Sequence, residues 1–195
     1  MIRAVHDGAT VRVYQAYGDA IAEPALERGT FVGPPFRRER MTWIKPSFLW
    51  MMYRSGWGLK EPGQSRLLAI DVTREGFEWA LANARLAHRR ADDRHAGEAP
   101  VAPTSEDPVR IQWDPERDLR LEPLPERSIQ IGLRGEAVDR YVDRWIVRIE
   151  EITDRAHEIR ALVEAGELAR AARLLPPERV YPLDEALRRR IGATG

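Results

Sequence analysis

Cysteine is absent from the 195 residues. That excludes a disulfide scaffold, a thiolate zinc site and a thiol nucleophile. Net charge is absent as well, since 31 basic residues balance 31 acidic ones. No global attraction to nucleic acid or acidic lipid follows, although a local patch is still allowed. No apolar run approaches the ~20 residues that a membrane-spanning helix needs. The first ten residues carry Arg3, His6 and Asp7 where a secretory leader would be apolar. A cytoplasmic protein with no membrane partner is therefore expected. Lysine is nearly missing: Lys45 and Lys60 stand alone among arginines. GC-rich coding explains the bias as a whole. It still makes Lys45 a position to ask about, because an ammonium and a guanidinium differ as donors and as titratable groups. Three sharp motifs are also missing. Residues 56–65 do not fit the P-loop spacing, no strand is followed by a dinucleotide fingerprint, and no G-x-S-x-G elbow occurs.

What is present reads as an α+β protein, a twisted and mostly antiparallel sheet with helices packed on it and a helical C-terminal extension. Residues 10–17 (TVRVYQAY) alternate and are rich in β-branched and aromatic types, which predicts a strand. Asp19 is placed to cap a helix over 20–28, with Pro24 in its first turn and Gly29 ending it. Residues 30–39, with Gly33, Pro34 and Pro35, predict a loop. Pro46 forces Lys45 to be extended, so 41–45 predicts an extended stretch and 46–55 an apolar, buried helix ended by Gly56. The run RLLAIDV at 66–72 predicts a central strand, and Thr73 is placed to cap a helix over 74–86. Residues 109–113 and 128–133 predict short strands. From Gly135 the stripe of Val138, Tyr141, Val142, Trp145, Ile146 and Ile149 predicts a helix. Further helices follow, one capped by Thr153 and ended by Gly166, the others over 167–174 and 183–191. A core domain over 1–150, a mobile insertion at about 87–108 and a helical extension over 151–195 packed on the core are expected.

The chemistry concentrates in residues 31–64. Arg37, Arg38, Arg40, Lys45 and Arg54 interleave there with Phe36, Trp43, Trp50, Tyr53 and Trp57. Cations bind phosphate and aromatic faces stack on a base, which is what a nucleotide or another phosphorylated ligand requires. Phe48, Met51 and Met52 sit at helical spacing and suit a core better than a site. The candidate ligand-binding residues are Tyr14, Gln15, Arg40, Trp43, Lys45, Ser47, Tyr53 and Arg54, and the candidate catalytic residues are Lys45 and Gln130. Gln15 shares a strand face with Val11 and Val13, so its amide either ties two elements together or faces a ligand. His88 and His95 flank Asp92 and Asp93, but a loop of this composition does not supply a rigid metal shell, and no metal is expected.

VYQAY (13–17), the turn at 25–31, RERMTWIKPSFLWMMYRSGW (38–57), LAIDVTREGFEWAL (68–81), the stretch 110–133 and YVDRWIV (141–147) together resemble the domain-of-unknown-function family 4291. That resemblance covers the chain to about Ile149 and brings no catalytic residues with it. The order of strand, helix, loop, apolar helix and strand is also similar to the opening of ADP-ribosyltransferase-like folds, which bind NAD in a cleft between two small sheets. The likeness implies NAD as the candidate cofactor, Tyr14 or Gln15 near the nicotinamide half, and Tyr53 stacked beside it. Gln130 falls where that family often holds an acid, and the usual His or Arg of its first motif is missing.

Three functions follow as expectations. The first is a nucleotide-using transferase of ADP-ribosyltransferase-like type. The second is an RNA or single-stranded nucleic acid binding or processing factor. The third is a protein-interaction module using the stripe around Trp145. The sequence does not set the oligomeric state.

Overall fold

The computed structural model describes residues 1–86 and 107–193. Most of the stretch expected as a mobile insertion, with His88, Asp92, Asp93 and His95, lies outside these residues. The described residues form an α+β fold of mostly antiparallel open sheets. They comprise a three-stranded sheet, a four-stranded sheet and a two-stranded ribbon.

The centre of the first sheet is β4 (Arg66–Thr73). Both of its faces are buried, which explains its unbroken apolar run. On one side it pairs with β2 (Thr10–Tyr17) from Thr10↔Thr73 to Tyr17↔Arg66. On the other it pairs with β8 (Ile146–Glu151). The face carrying Val11, Val13, Leu68, Ile70 and Val72 points into the larger core. There it meets α1 (Asp19–Arg28), α3 (Arg74–Ala82) and the inner face of the second sheet. The opposite face, with Tyr14, Leu67 and Ala69, packs on α2 (Phe48–Ser55), α5 (Thr153–Glu164) and α6 (Leu168–Leu174).

The second sheet is built on a hairpin of β6 (Val109–Arg117) and β7 (Pro123–Leu133), longer than the expected strands. Next to β7 lies β3 (Thr42–Ile44), and next to β6 lies the parallel β5 (Ala84–Leu86). The ribbon joins β1 (Arg3–Ala4) to β9 (Arg179–Val180). Beyond it, Tyr181 and Ile191, the latter on α7 (Glu185–Ile191), enter the larger core.

Several local expectations are corrected. The helix expected from Gly135 onward stops early. It consists of α4 (Glu136–Arg140) and one π-turn over Tyr141–Trp145, after which Ile146–Glu151 is strand β8. The second edge of β4 needs hydrogen-bond partners where it is buried, and β8 supplies them. The stripe around Trp145 is thus taken up inside the chain, with Trp145 packed directly on Gly76. The helix after Thr73 ends at Ala82, because Ala84–Leu86 leaves to pair with β6. Thr73 does cap it, accepting from Gly76 N–H at 3.2 Å. Asp19 is not a cap. Gly18 holds that position, so Pro24 falls inside the helix rather than in its first turn, and Asp19 accepts from Arg66 at 2.8 Å. Thr153 is not a cap either. Its hydroxyl oxygen accepts from Leu67 N–H at 3.0 Å and donates to Glu151 at 2.8 Å.

Candidate functional site

Pro46 keeps Lys45 out of the helical region, and this turns the chain from β3 into α2. At the end of β3, Tyr14 N–H donates to the Lys45 carbonyl at 2.7 Å. That bridge joins the three-stranded sheet to the four-stranded one. Beside it, residues of both sheets border a cavity of about 880 Å³. Its volume is that of a nucleotide or drug-sized ligand site. Gln15 and Tyr17 of β2, Thr42, Trp43 and Lys45 at β3, and Met51 and Arg54 of α2 line it, with Gln112 and Gln130 of the hairpin. Of the candidates, the structure brings together Gln15, Arg40, Trp43, Lys45, Arg54 and Gln130.

The charge of this lining is one-sided. Arg37, Arg40, Lys45 and Arg54 border the cavity, and the described lining contains no Asp or Glu. Elsewhere arginines are paired: Arg12 with Asp71 at 2.7 Å, Arg38 with Asp143 at 2.6 Å, Arg66 with Glu151 at 2.5 Å. Arg38, expected beside Arg37 in the cationic segment, is turned away from the cavity by Asp139 and Asp143. The guanidinium groups of Arg37, Arg40 and Arg54 are exposed at the mouth and make no ion pair among the described residues. Lys45 lies deeper, only 7% exposed. Its Nζ donates to the Trp43 carbonyl at 3.1 Å and lies 5.9 Å from the Trp50 ring centroid. Burial, reinforced by the nearby charge of Arg54, lowers its pKa from 10.5 to about 7.

Gln15 is buried, and both of its amide atoms are hydrogen-bonded. Its Nε2 donates to the Tyr17 hydroxyl at 3.0 Å and to the Trp43 carbonyl at 3.1 Å, while Oε1 accepts from the Tyr141 hydroxyl at 2.7 Å. The tie between elements engages both atoms of its amide, and the residue lines the cavity as well. The Trp43 indole lies across the backbone of β7 at Gly132, its cross-strand partner. A Cβ at Gly132 would stand 3.0 Å from the indole and 2.9 Å from Met41 Sδ. Glycine there lets an aromatic wall lie flat on the sheet.

On the hairpin, Gln112 and Gln130 are directly opposed in register. Asp114 receives both amides, from Gln130 Nε2 at 2.6 Å and Gln112 Nε2 at 2.9 Å. Gln112 and Asp114 were not among the sequence candidates. The signal that could have found them is polar alternation on β6 opposite a polar residue on β7. A fourth carboxamide, Gln64, also lines the cavity, and its Oε1 is buried without a hydrogen-bond partner.

Tyr14, Ser47 and Tyr53 lie outside the cavity lining. The Tyr14 side chain faces the smaller core, edge-on to Phe48, and burial raises its hydroxyl pKa. Ser47 caps α2 by accepting from Trp50 N–H at 3.1 Å, and its hydroxyl donates to Glu116 at 2.8 Å. Tyr53 is exposed, with the Arg117 guanidinium 3.5 Å above its ring. Near the start of α2 lies a half-buried acid. Glu178 accepts from Phe48 N–H at 2.7 Å, and burial raises its pKa to about 8.

Comparison with known families places the chain. The model of a domain of unknown function (DUF4291) matches residues 1–181, and the protein belongs to that family. No curated protein matches it. No helix among the described residues is long and apolar enough to cross a membrane.

Proposed function

We propose that this protein is a nucleotide-binding enzyme of ADP-ribosyltransferase-like type that takes NAD or a related nucleotide in the cavity between its two sheets. The observation that carries the reading is the cavity bordered by Arg37, Arg40, Lys45 and Arg54 without a carboxylate. Such a surplus of unpaired positive charge is stabilised by phosphate, which arginine binds bidentately. The Trp43 indole and the Met41 and Met51 side chains add apolar surface for a base. The position of the cavity between two small sheets supports the likeness to NAD-binding transferases.

In this reading the arginines at the mouth hold the phosphates and Lys45 is the catalytic group. Transfer breaks the bond between the ribose carbon and the nicotinamide nitrogen. It forms a bond from that carbon to an acceptor, whose proton must go to a base. An amine with a pKa of about 7 is free to take it at neutral pH. Gln130 contacts the ligand from the hairpin and, as an amide, supplies hydrogen bonds but no charge.

A second reading, single-stranded nucleic acid, is favoured by the exposure of Arg37, Arg40 and Arg54 at the mouth. Thermal-shift titrations against NAD, ADP-ribose, ATP and a short single-stranded RNA at two salt concentrations separate the two. A nucleotide at a hundredfold excess over its dissociation constant adds roughly 2.7 kcal/mol of stability. The expected shift comes from NAD or ADP-ribose and is lost in Arg54→Ala. A strongly salt-dependent shift with RNA alone would favour the second reading. No shift with any of the four would overturn both.

A further inference from the structure

The cavity has a polar face that phosphate binding does not use. Gln112 and Gln130 stand opposite each other on the hairpin, and each directs its amide nitrogen at one oxygen of the Asp114 carboxylate. A carboxylate only accepts hydrogen bonds, so it fixes which way both amides point. With nitrogen turned to Asp114, each Oε1 is left as an acceptor, and neither has a partner among the described residues. Asp114 itself is not part of the lining. It orients two groups that are.

We infer that the Gln112–Asp114–Gln130 constellation selects a ligand whose ring bears an N–H2 group, a carboxamide or an exocyclic amine. The inference rests on the nucleotide reading of the cavity and names the part of the nucleotide that the hairpin recognises. An N–H2 group donates to the waiting oxygens. A carboxylate or ring oxo group in its place would set oxygen against oxygen and leave both amide oxygens unsatisfied. A bound ring covers these oxygens, so the wrong one shuts them off from water without a partner. Asp114 is a positioning residue in this scheme. It acts by denying the amides the flipped orientation that would welcome an oxygen.

The test is isothermal titration of the full chain with two ligand pairs. NAD against its nicotinic acid analogue changes a carboxamide to a carboxylate. ATP against ITP changes an exocyclic amine to an oxo group. The expected result is a preference of about tenfold or more for the N–H2 form in one pair. A preference in the NAD pair places nicotinamide at the hairpin, and one in the ATP pair places adenine there. Asp114→Asn should bring the favoured ratio down towards one, because an asparagine amide no longer dictates the orientation of either glutamine. Gln112→Leu, on a more exposed position, should lower the same ratio and serves if the Asp114 variant does not fold. Equal binding within both pairs, or a tighter grip on the carboxylate or oxo form, would overturn the inference while leaving the cavity as a nucleotide site. A ratio unmoved in Asp114→Asn and Gln112→Leu would overturn it too. If none of the four nucleotides binds, the nucleotide reading falls and the inference falls with it.

Discussion

The Nζ atom of Lys45 lies 3.1 Å from the carbonyl oxygen of Trp43, and that oxygen takes a second hydrogen bond of 3.1 Å from Gln15. One backbone acceptor thus serves both the cavity's buried amine and the amide that links the sheets. Its consequences can be measured separately.

Lys45 has its pKa lowered from 10.5 to about 7. Between those values the unfolded chain holds a proton that the folded chain has released, so stability should rise with pH across that window. Lys45→Met should remove the slope. The variant should gain most over the parent below pH 7 and lose that advantage as pH climbs towards 10.5, which urea denaturation at a series of pH values would show.

Glu178 works in the opposite sense. Its pKa is raised from 4.5 to about 8, so the folded chain keeps a proton that the unfolded chain has lost. Stability should fall as pH rises through that window. Together the two groups predict a minimum between pH 7 and 8. Glu178→Gln retains an acceptor for Phe48 N–H and should be more stable than the parent at pH 8 and above. A flat profile in the parent would contradict both assignments.

Gln15→Leu should cost about 2 kcal/mol, since it strands the buried Tyr141 hydroxyl and removes one donor from Trp43. Chemical denaturation measures this directly.

Two glycines make contrasting predictions. At Gly76 a Cβ would stand 2.3 Å from Trp145 Cγ, so Gly76→Ala should destabilise by about 2–3 kcal/mol. At Gly132 the neighbours are the indole edge of Trp43 and the flexible Met41, at 3.0 and 2.9 Å. Gly132→Ala should tilt the indole into the cavity, lowering nucleotide affinity more than stability. Denaturation and titration of both variants would separate the two effects.

The fold was legible wherever one face decided the pattern. β2 and β4 alternate or run apolar as buried strands do, and Pro46 with Gly56 brackets α2. The C-terminal half misled because Val142, Trp145, Ile146 and Ile149 keep a spacing close to helical. The π-turn before β8 carries that spacing across a change of structure. Pairing of β1 with β9 joins residues such as Arg3 and Val180 that no local pattern connects. At the site, Arg40, Trp43, Lys45 and Arg54 were legible because one segment supplies them all. Tyr14 and Ser47 were drawn in by the same neighbourhood, yet the strand alternation turns Tyr14 to the other face and α2 needs Ser47 as its cap. Gln112 and Asp114 were not legible, because polar residues alternating on a strand look like any solvated face until register sets them beside Gln130.

The Gln15 amide, itself on the three-stranded sheet, holds Trp43 of the four-stranded sheet on one side and Tyr141 of the π-turn on the other. The gap beside it is therefore a gauge set by the length of a side chain. Neither sheet can swing away to admit a bulkier guest without breaking that amide's bonds. Admission then falls to the mouth, where Arg37, Arg40 and Arg54 can change rotamer at small cost. In the nucleotide reading, such a cavity sorts by thickness first and by charge second, as a slot accepts a coin.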